Sequence, residues 1–126
     1  MNKKVINSVN APAPIGPYNQ AIEINGLVFI SGQVALIPGT NTIMMDSIEQ
    51  ETEQVMKNLQ AILMEAELSF EHVVKTSIFL SNMDYFADVN TIYANYFSAN
   101  FPARETVQVA GLPRDVNVEI SMIAAR

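Results

Sequence analysis

The pair Asn25-Gly26 constrains this chain more than any other feature. It stands between Ala21-Ile22-Glu23-Ile24 and Leu27-Val28-Phe29-Ile30, two β-rich runs. Two turn residues that both accept positive φ specify a tight antiparallel hairpin. A sheet must therefore be built around this point, and the other segments are read by how they join it.

Residues 2–7 read as a short strand. Residues 8–20 hold three of the six prolines and read as a rigid, irregular loop. A second loop spans residues 32–46 around Pro38-Gly39. Ser47, three residues before Gln50, resembles a capping box. Behind it Ile48, Val55, Met56, Leu59, Ile62, Leu63 and Ala66 recur at helical spacing, which predicts a helix of about 20 residues. Glu49, Glu51, Glu53, Lys57 and Glu65 read as its solvated face. Val73–Leu80 is a β-branched strand. Asp84 is expected to cap a second helix, with Phe86, Val89, Tyr93, Tyr96 and Phe97 as its buried stripe. The chain then reads as a second hairpin, Glu105–Leu112 and Val116–Ala125, turning at Leu112-Pro113-Arg114-Asp115.

The order β-ββ-α-β-α-ββ predicts an α+β fold, a single domain over residues 1–126. Its six-stranded, mostly antiparallel sheet carries both helices on one face. With 49% apolar and only 16% charged residues, part of the surface is expected to be covered by another subunit.

Composition also removes whole classes of function. Seven Lys+Arg face thirteen Asp+Glu, for a formal charge of −6, and no basic cluster exists to neutralise nucleic-acid phosphates. No apolar run approaches the ~20 residues that span a bilayer. The N-terminal segment lacks the pattern of a secretory signal, so a cytoplasmic protein is expected. There is no cysteine, and His72 is the one histidine, without a partner at ligand spacing. No metal site is expected, and His72 reads as a surface or helix-end residue.

The candidate for chemistry is Arg104, in Phe101-Pro102-Ala103-Arg104. It sits between a proline bend and a strand start. Its guanidinium is a permanent fork suited to a carboxylate or phosphate. In the expected hairpin Val109 faces Val118 and Val107 faces Ile120. Arg104, Thr106 and Gln108 then share the polar face with Glu119. Gln108 lies opposite Glu119, and Arg104 is four residues away, roughly 13 Å at the usual rise. That is too far for an ion pair, so the two read as opposite walls of a cleft. Tyr18, in a glycine-proline loop, is either a core anchor or a donor at a site. Ser31-Gly32-Gln33 offers a backbone N–H beside glycine for close approach to a ligand.

These segments together resemble the RidA/YjgF family of enamine/imine deaminases, from about Pro14 onward. The resemblance rests on Gly16-Pro17-Tyr18-Asn19-Gln20-Ala21, Ser31-Gly32-Gln33, Val89-Asn90, Phe101-Pro102-Ala103-Arg104, and Leu112-Pro113-Arg114-Asp115-Val116 followed by Glu119. It implies a chorismate-mutase-like homotrimer with active sites between subunits and no cofactor. The implied role is metabolite damage control. 2-Iminopropanoate, 2-iminobutanoate and their 2-aminoacrylate-type enamine tautomers, released by pyridoxal-phosphate dehydratases, are hydrolysed to 2-oxo acids and ammonia. Arg104 would grip the substrate carboxylate and Glu119 would orient water as general acid/base. The Thr106 carbonyl would help hold that water, and Tyr18, Ser31 and Asn90 would line the pocket. Asn19, Glu105 and Thr106 depart from common family residues. Glu105 keeps an alternative in view, a non-catalytic carboxylate-binding or protein-binding trimer. Strand alternation points Glu105 away from Arg104.

Overall fold

In the computed structural model, which describes residues 1–126, the Asn25-Gly26 hairpin forms as expected. Strands β2 (Ala21–Ile24) and β3 (Leu27–Gln33) pair across it, with φ of 52° at Asn25 and 79° at Gly26. The short β1 (Lys4–Ile6) adds to β2. The loop from Ser8 to Asn19 is held by the buried Gln20. Its side chain accepts from Ser8 N at 2.7 Å and donates to the carbonyls of Ser8 and Pro12 at 3.0 and 2.9 Å. Proline stiffens this loop, but a polar side chain fixes its path.

Helix α1 (Ile48–Glu65) begins where Ser47 accepts a hydrogen bond from Gln50 N. It ends in a Schellman turn. Leu68 N donates to Leu63 O and Glu67 N to Met64 O, with Glu67 at a φ of 60°. Val55, Met56, Leu59, Ile62 and Leu63 are fully buried. Glu51, expected on the solvated face, is also fully buried. Its position relative to Val55 places it on the core side.

Strand β4 (Val73–Leu80) follows, then a one-turn 3-10 segment and helix α2 (Phe86–Ala94). The residue that caps this turn is Asn82, which accepts from Asp84 N at 2.8 Å; Asp84 is not the cap. Val89 and Tyr93 are buried. Phe86 is exposed, while Tyr96 and Phe97 lie beyond the helix and pack on the core by edge contacts with Phe70.

The second hairpin does not form. β5 (Ala103–Gln108) and β6 (Val118–Ala125) are separated by β4, and the sheet order is β1-β2-β3-β6-β4-β5. β5 runs parallel to β4, with Thr76 beside Arg104 and Phe79 beside Val107. β6 runs antiparallel between β3 and β4, with Phe79 beside Glu119. The expected pairs Val109–Val118 and Val107–Ile120 are therefore absent. The Leu112–Asp115 segment is a crossing link, with Arg114 and Asp115 at φ of 60° and 55°, rather than a hairpin turn. The rest of the expected architecture stands. Six mostly antiparallel strands carry two helices on one face, and the core lies between. Ile78, Leu80, Val118, Ile120, Met122 and Ala124 meet α1 and α2 there.

Candidate functional site

Strand alternation now separates the two principal candidates. Thr76 and Phe79 are three residues apart on β4, so they point to opposite sheet faces, and their neighbours Arg104 and Glu119 do the same. Arg104 and Thr106 belong to the helix-covered face and Glu119 to the open one. The expectation that all three share a face rested on the hairpin and falls with it.

Arg104 is held by α2. Its Nη1 donates to Asn90 Oδ1 at 2.7 Å, and its guanidinium carbon lies 5.0 Å from the Tyr93 ring centre and 5.8 Å from that of Phe86. Such contacts are worth roughly 0.5–2 kcal/mol each and fix the plane of the fork. The chain forms two ion pairs, Lys75–Glu105 and Arg126–Glu23, and Arg104 takes part in neither. A shallow pocket beside it is lined by Asn90, Tyr93, Ala94, Phe101 and Pro102. Burial pushes the Tyr93 phenol up, partly offset by its hydrogen bond to Thr76 and the charge of Arg104. Thr106 Oγ1 is buried without a hydrogen-bond partner.

Glu105 turns away from Arg104, as alternation requires. Lys75 Nζ donates to it at 2.5 Å and Ser77 Oγ also donates, and these contacts hold its carboxyl below the usual carboxylate range. It does not compete for the Arg104 guanidinium.

Glu119 lines a second cavity of about 390 Å³, together with Tyr18, Ser31, Gly32 and Arg114. Burial pushes its carboxyl above the ordinary range. The register of β3 against β6 shifts by one between Ile30 and Gln33, so Ser31-Gly32 forms a bulge within β3. There the backbone meets the glutamate: a Cβ on Gly32 would stand 2.7 Å from Glu119 Oε2. Ser31 Oγ donates to Asn19 O at 2.6 Å, tying the Tyr18 loop to the bulge. Tyr18 is half exposed and is a cavity residue, not a core anchor. His72 caps a single turn by accepting from Ser69 N at 3.1 Å.

Sequence reasoning missed Arg114, whose guanidinium donates to Asn41 Oδ1 and Asn41 O at 3.1 and 3.0 Å. It also missed the buried Glu51. Its spacing from Val55 was the available signal, outweighed by the rule that helix glutamates face water.

The chain thus carries two half-sites. Arg104 and Asn90 offer a carboxylate grip with nothing opposite it. Glu119 and Tyr18 line the other cavity, where the one guanidinium, Arg114, is tied to Asn41 through both Nη1 and Nη2.

Comparison with known proteins bears on the fold and the family. Residues 8–126 match the family model described as Endoribonuclease L-PSP. A RutC family protein of Synechocystis is 52% identical over 98% of this chain and 97% of its own. The 2-iminobutanoate/2-iminopropanoate deaminase of Mus musculus is 44% identical over 98% of this chain and 92% of its own. The crystal structure of E. coli TdcF with bound serine superposes with a TM-score of 0.93 at 36% identity, covering 98% of both chains. The fold is chorismate-mutase-like, and the chain belongs to the RidA/YjgF family, the one the Endoribonuclease L-PSP model describes.

Proposed function

We propose that this protein is an imine deaminase acting on 2-iminopropanoate and 2-iminobutanoate. Its sites form where the Arg104 half of one subunit meets the Glu119 half of the next in a homotrimer. The observation that carries this reading is the oriented, acid-free guanidinium of Arg104 in a chain of net charge −6. It supports binding of a ligand carboxylate. Two half-sites on opposite sheet faces support completion by a second subunit. The open face, where Leu27, Phe29 and Val107 are exposed, supplies apolar surface for that contact. Serine bound to TdcF and the deaminase name of the mouse relative point the same way.

In this mechanism Arg104 takes the carboxylate through two parallel N–H···O bonds, with Asn90 and the two rings fixing its plane. Glu119 accepts a proton from water as the oxygen adds to the imine carbon, and returns it to the nitrogen. The carbinolamine then collapses, expelling ammonia and leaving the 2-oxo acid. Burial raises the Glu119 carboxyl and so makes it a stronger proton acceptor than an ordinary glutamate, which suits this exchange. The Thr106 carbonyl holds the water, and Tyr18 and Ser31 line the pocket. Imines of this kind hydrolyse unaided in water. General acid/base help of about 10²–10⁴-fold is therefore enough for the task.

The test couples a serine or threonine dehydratase to ammonia detection. Wild type should release ammonia above the spontaneous rate, and Arg104→Ala and Glu119→Gln should abolish the excess. Saturable binding of 2-oxobutanoate with no acceleration by wild type would instead favour a non-catalytic carboxylate-binding trimer.

A further inference from the structure

Helix α1 buries three polar side chains; Thr52 is satisfied within the helix by donating to Ile48 O, and the other two reach outside it. Glu51 and Asn58 stand two turns apart, both fully buried, with Val55 between them. Burying such groups is costly unless every polar atom is satisfied. No lysine or arginine pairs with Glu51.

Their partners are backbone and side-chain groups of two segments that frame the Glu119 cavity. Glu51 Oε2 accepts from Asn117 N at 2.8 Å and Val118 N at 3.3 Å, and Oε1 accepts from Asn117 Nδ2 at 2.9 Å. Asn117 is gripped from its other side by Ser81, whose N donates to Asn117 O and whose Oγ donates to Asn117 Oδ1. Glu119 follows two residues later. Asn58 Nδ2 donates to Val34 O at 3.0 Å and Leu36 O at 2.9 Å, and Gln54 holds its oxygen. Val34 and Leu36 line the cavity just beyond the Gly32 bulge.

We propose that Glu51 and Asn58 are positioning residues. From one face of α1 they fix the two segments between which the Glu119 carboxylate is held against Gly32, and so set its aim at the substrate. The catalytic part rests on the deaminase reading. The positioning part does not.

The arrangement makes a specific demand on chemistry. One oxygen of Glu51 serves both backbone amides, so Glu51→Gln can keep those bonds with its amide oxygen, while its nitrogen donates to Asn117 Oδ1 once the Asn117 amide turns over and Asn117 Nδ2 donates to Ser81 Oγ instead. Glu51→Leu, of similar size, leaves both amides without an acceptor. Near Glu119 the other titratable or charged groups are Tyr18 and Arg114, in the same cavity. Neither touches Glu51.

The experiment compares wild type, Glu51→Leu and Glu51→Gln for kcat, KM and the carbon-13 titration of the Glu119 carboxyl. Glu51→Leu should lower kcat about 10- to 100-fold, as a misplaced catalytic group does, with KM moved less than about threefold. Its Glu119 titration should fall toward the ordinary glutamate value as the carboxylate loosens into water. Glu51→Gln should stay close to wild type in all three. If Glu51→Leu does not fold, Asn117→Ala, which removes only the side-chain half of the link, should show the same changes to a smaller degree. A folded Glu51→Leu or Asn117→Ala with unchanged kcat and Glu119 titration overturns the proposal, as does equal loss in Glu51→Leu and Glu51→Gln. A wild type without imine turnover defeats the deaminase reading alone, because the titration still reports whether Glu51 holds Glu119.

Discussion

Arg104 and Glu119 point to opposite faces of one sheet, with β4 lying between the strands that carry them. No side-chain motion brings the two together within a single chain. A site that uses both needs a second copy, and this geometry orders the expectations below.

Arg104→Lys separates charge from shape. Lysine keeps the positive charge but not the planar fork or its packing on Tyr93 and Phe86. Losing one of two charge-assisted hydrogen bonds costs roughly 2–3 kcal/mol, so kcat/KM should fall about 10²-fold. Recovery of wild-type kcat/KM in the coupled dehydratase assay would mean that charge alone suffices.

Glu119 should set the acid limb of the pH–rate profile. Burial raises its carboxyl, so the proton it must shed to accept one from water leaves at a higher pH than from an ordinary glutamate. Activity is present above that value and lost as pH falls through it. Rates of kcat/KM measured across the acid range should show this limb in wild type and no such limb in Glu119→Gln.

Gly32→Ala tests the bulge. The added methyl would lie 2.7 Å from Glu119 Oε2, so the carboxylate must shift. A displacement of this size should lower kcat by about 10²-fold while the melting temperature changes little, because the glutamate is a side-chain neighbour that can move aside. Steady-state kinetics together with calorimetry reads both quantities. An active Gly32→Ala would show that the close approach is incidental.

The open sheet face should carry the assembly. Phe29→Glu places a charge among Ile22, Ile123 and the exposed Leu27, where burial against another subunit cannot satisfy it. Sedimentation should show a trimer for wild type and a monomer for Phe29→Glu, with deaminase activity lost in parallel. A trimeric, active Phe29→Glu would place the contact elsewhere.

Glu105 should matter to stability and not to chemistry. Lys75 and Ser77 hold its carboxyl below the range it has in the unfolded chain. Its contribution is therefore present above the unfolded value and lost as pH falls through the folded one. The melting-temperature gap between wild type and Glu105→Gln should be open at about pH 6 and close toward about pH 3. kcat/KM should be the same in both.

How much of this was legible in the sequence depends on how local each signal is. The Asn25-Gly26 turn joins strands two residues apart, so its chemistry is complete within one short segment. The Leu112–Asp115 turn carries similar local cues, yet nothing in it reports that β4 stands between the strands it links. Only the packing of the whole sheet decides that. The capping position slipped from Asp84 to Asn82 because both side chains can accept from nearby backbone amides. The candidate residues were legible one by one, through a constrained arginine and a strand glutamate. Their placement on opposite faces was not, because it follows from the registers that set Arg104 beside Thr76 and Glu119 beside Phe79 on β4. Glu51 shows a further limit. Its charge suggests water, while its turn of the helix commits it to the core.

β6, made after the five other strands of the sheet, pairs with β3 on one side and β4 on the other. Without it the sheet order leaves two unjoined parts, β1-β2-β3 and β4-β5. Closure of the sheet therefore waits for residues 118–125 to be made. The same strand brings Glu119, so the candidate acid/base group arrives only with the piece that closes the fold.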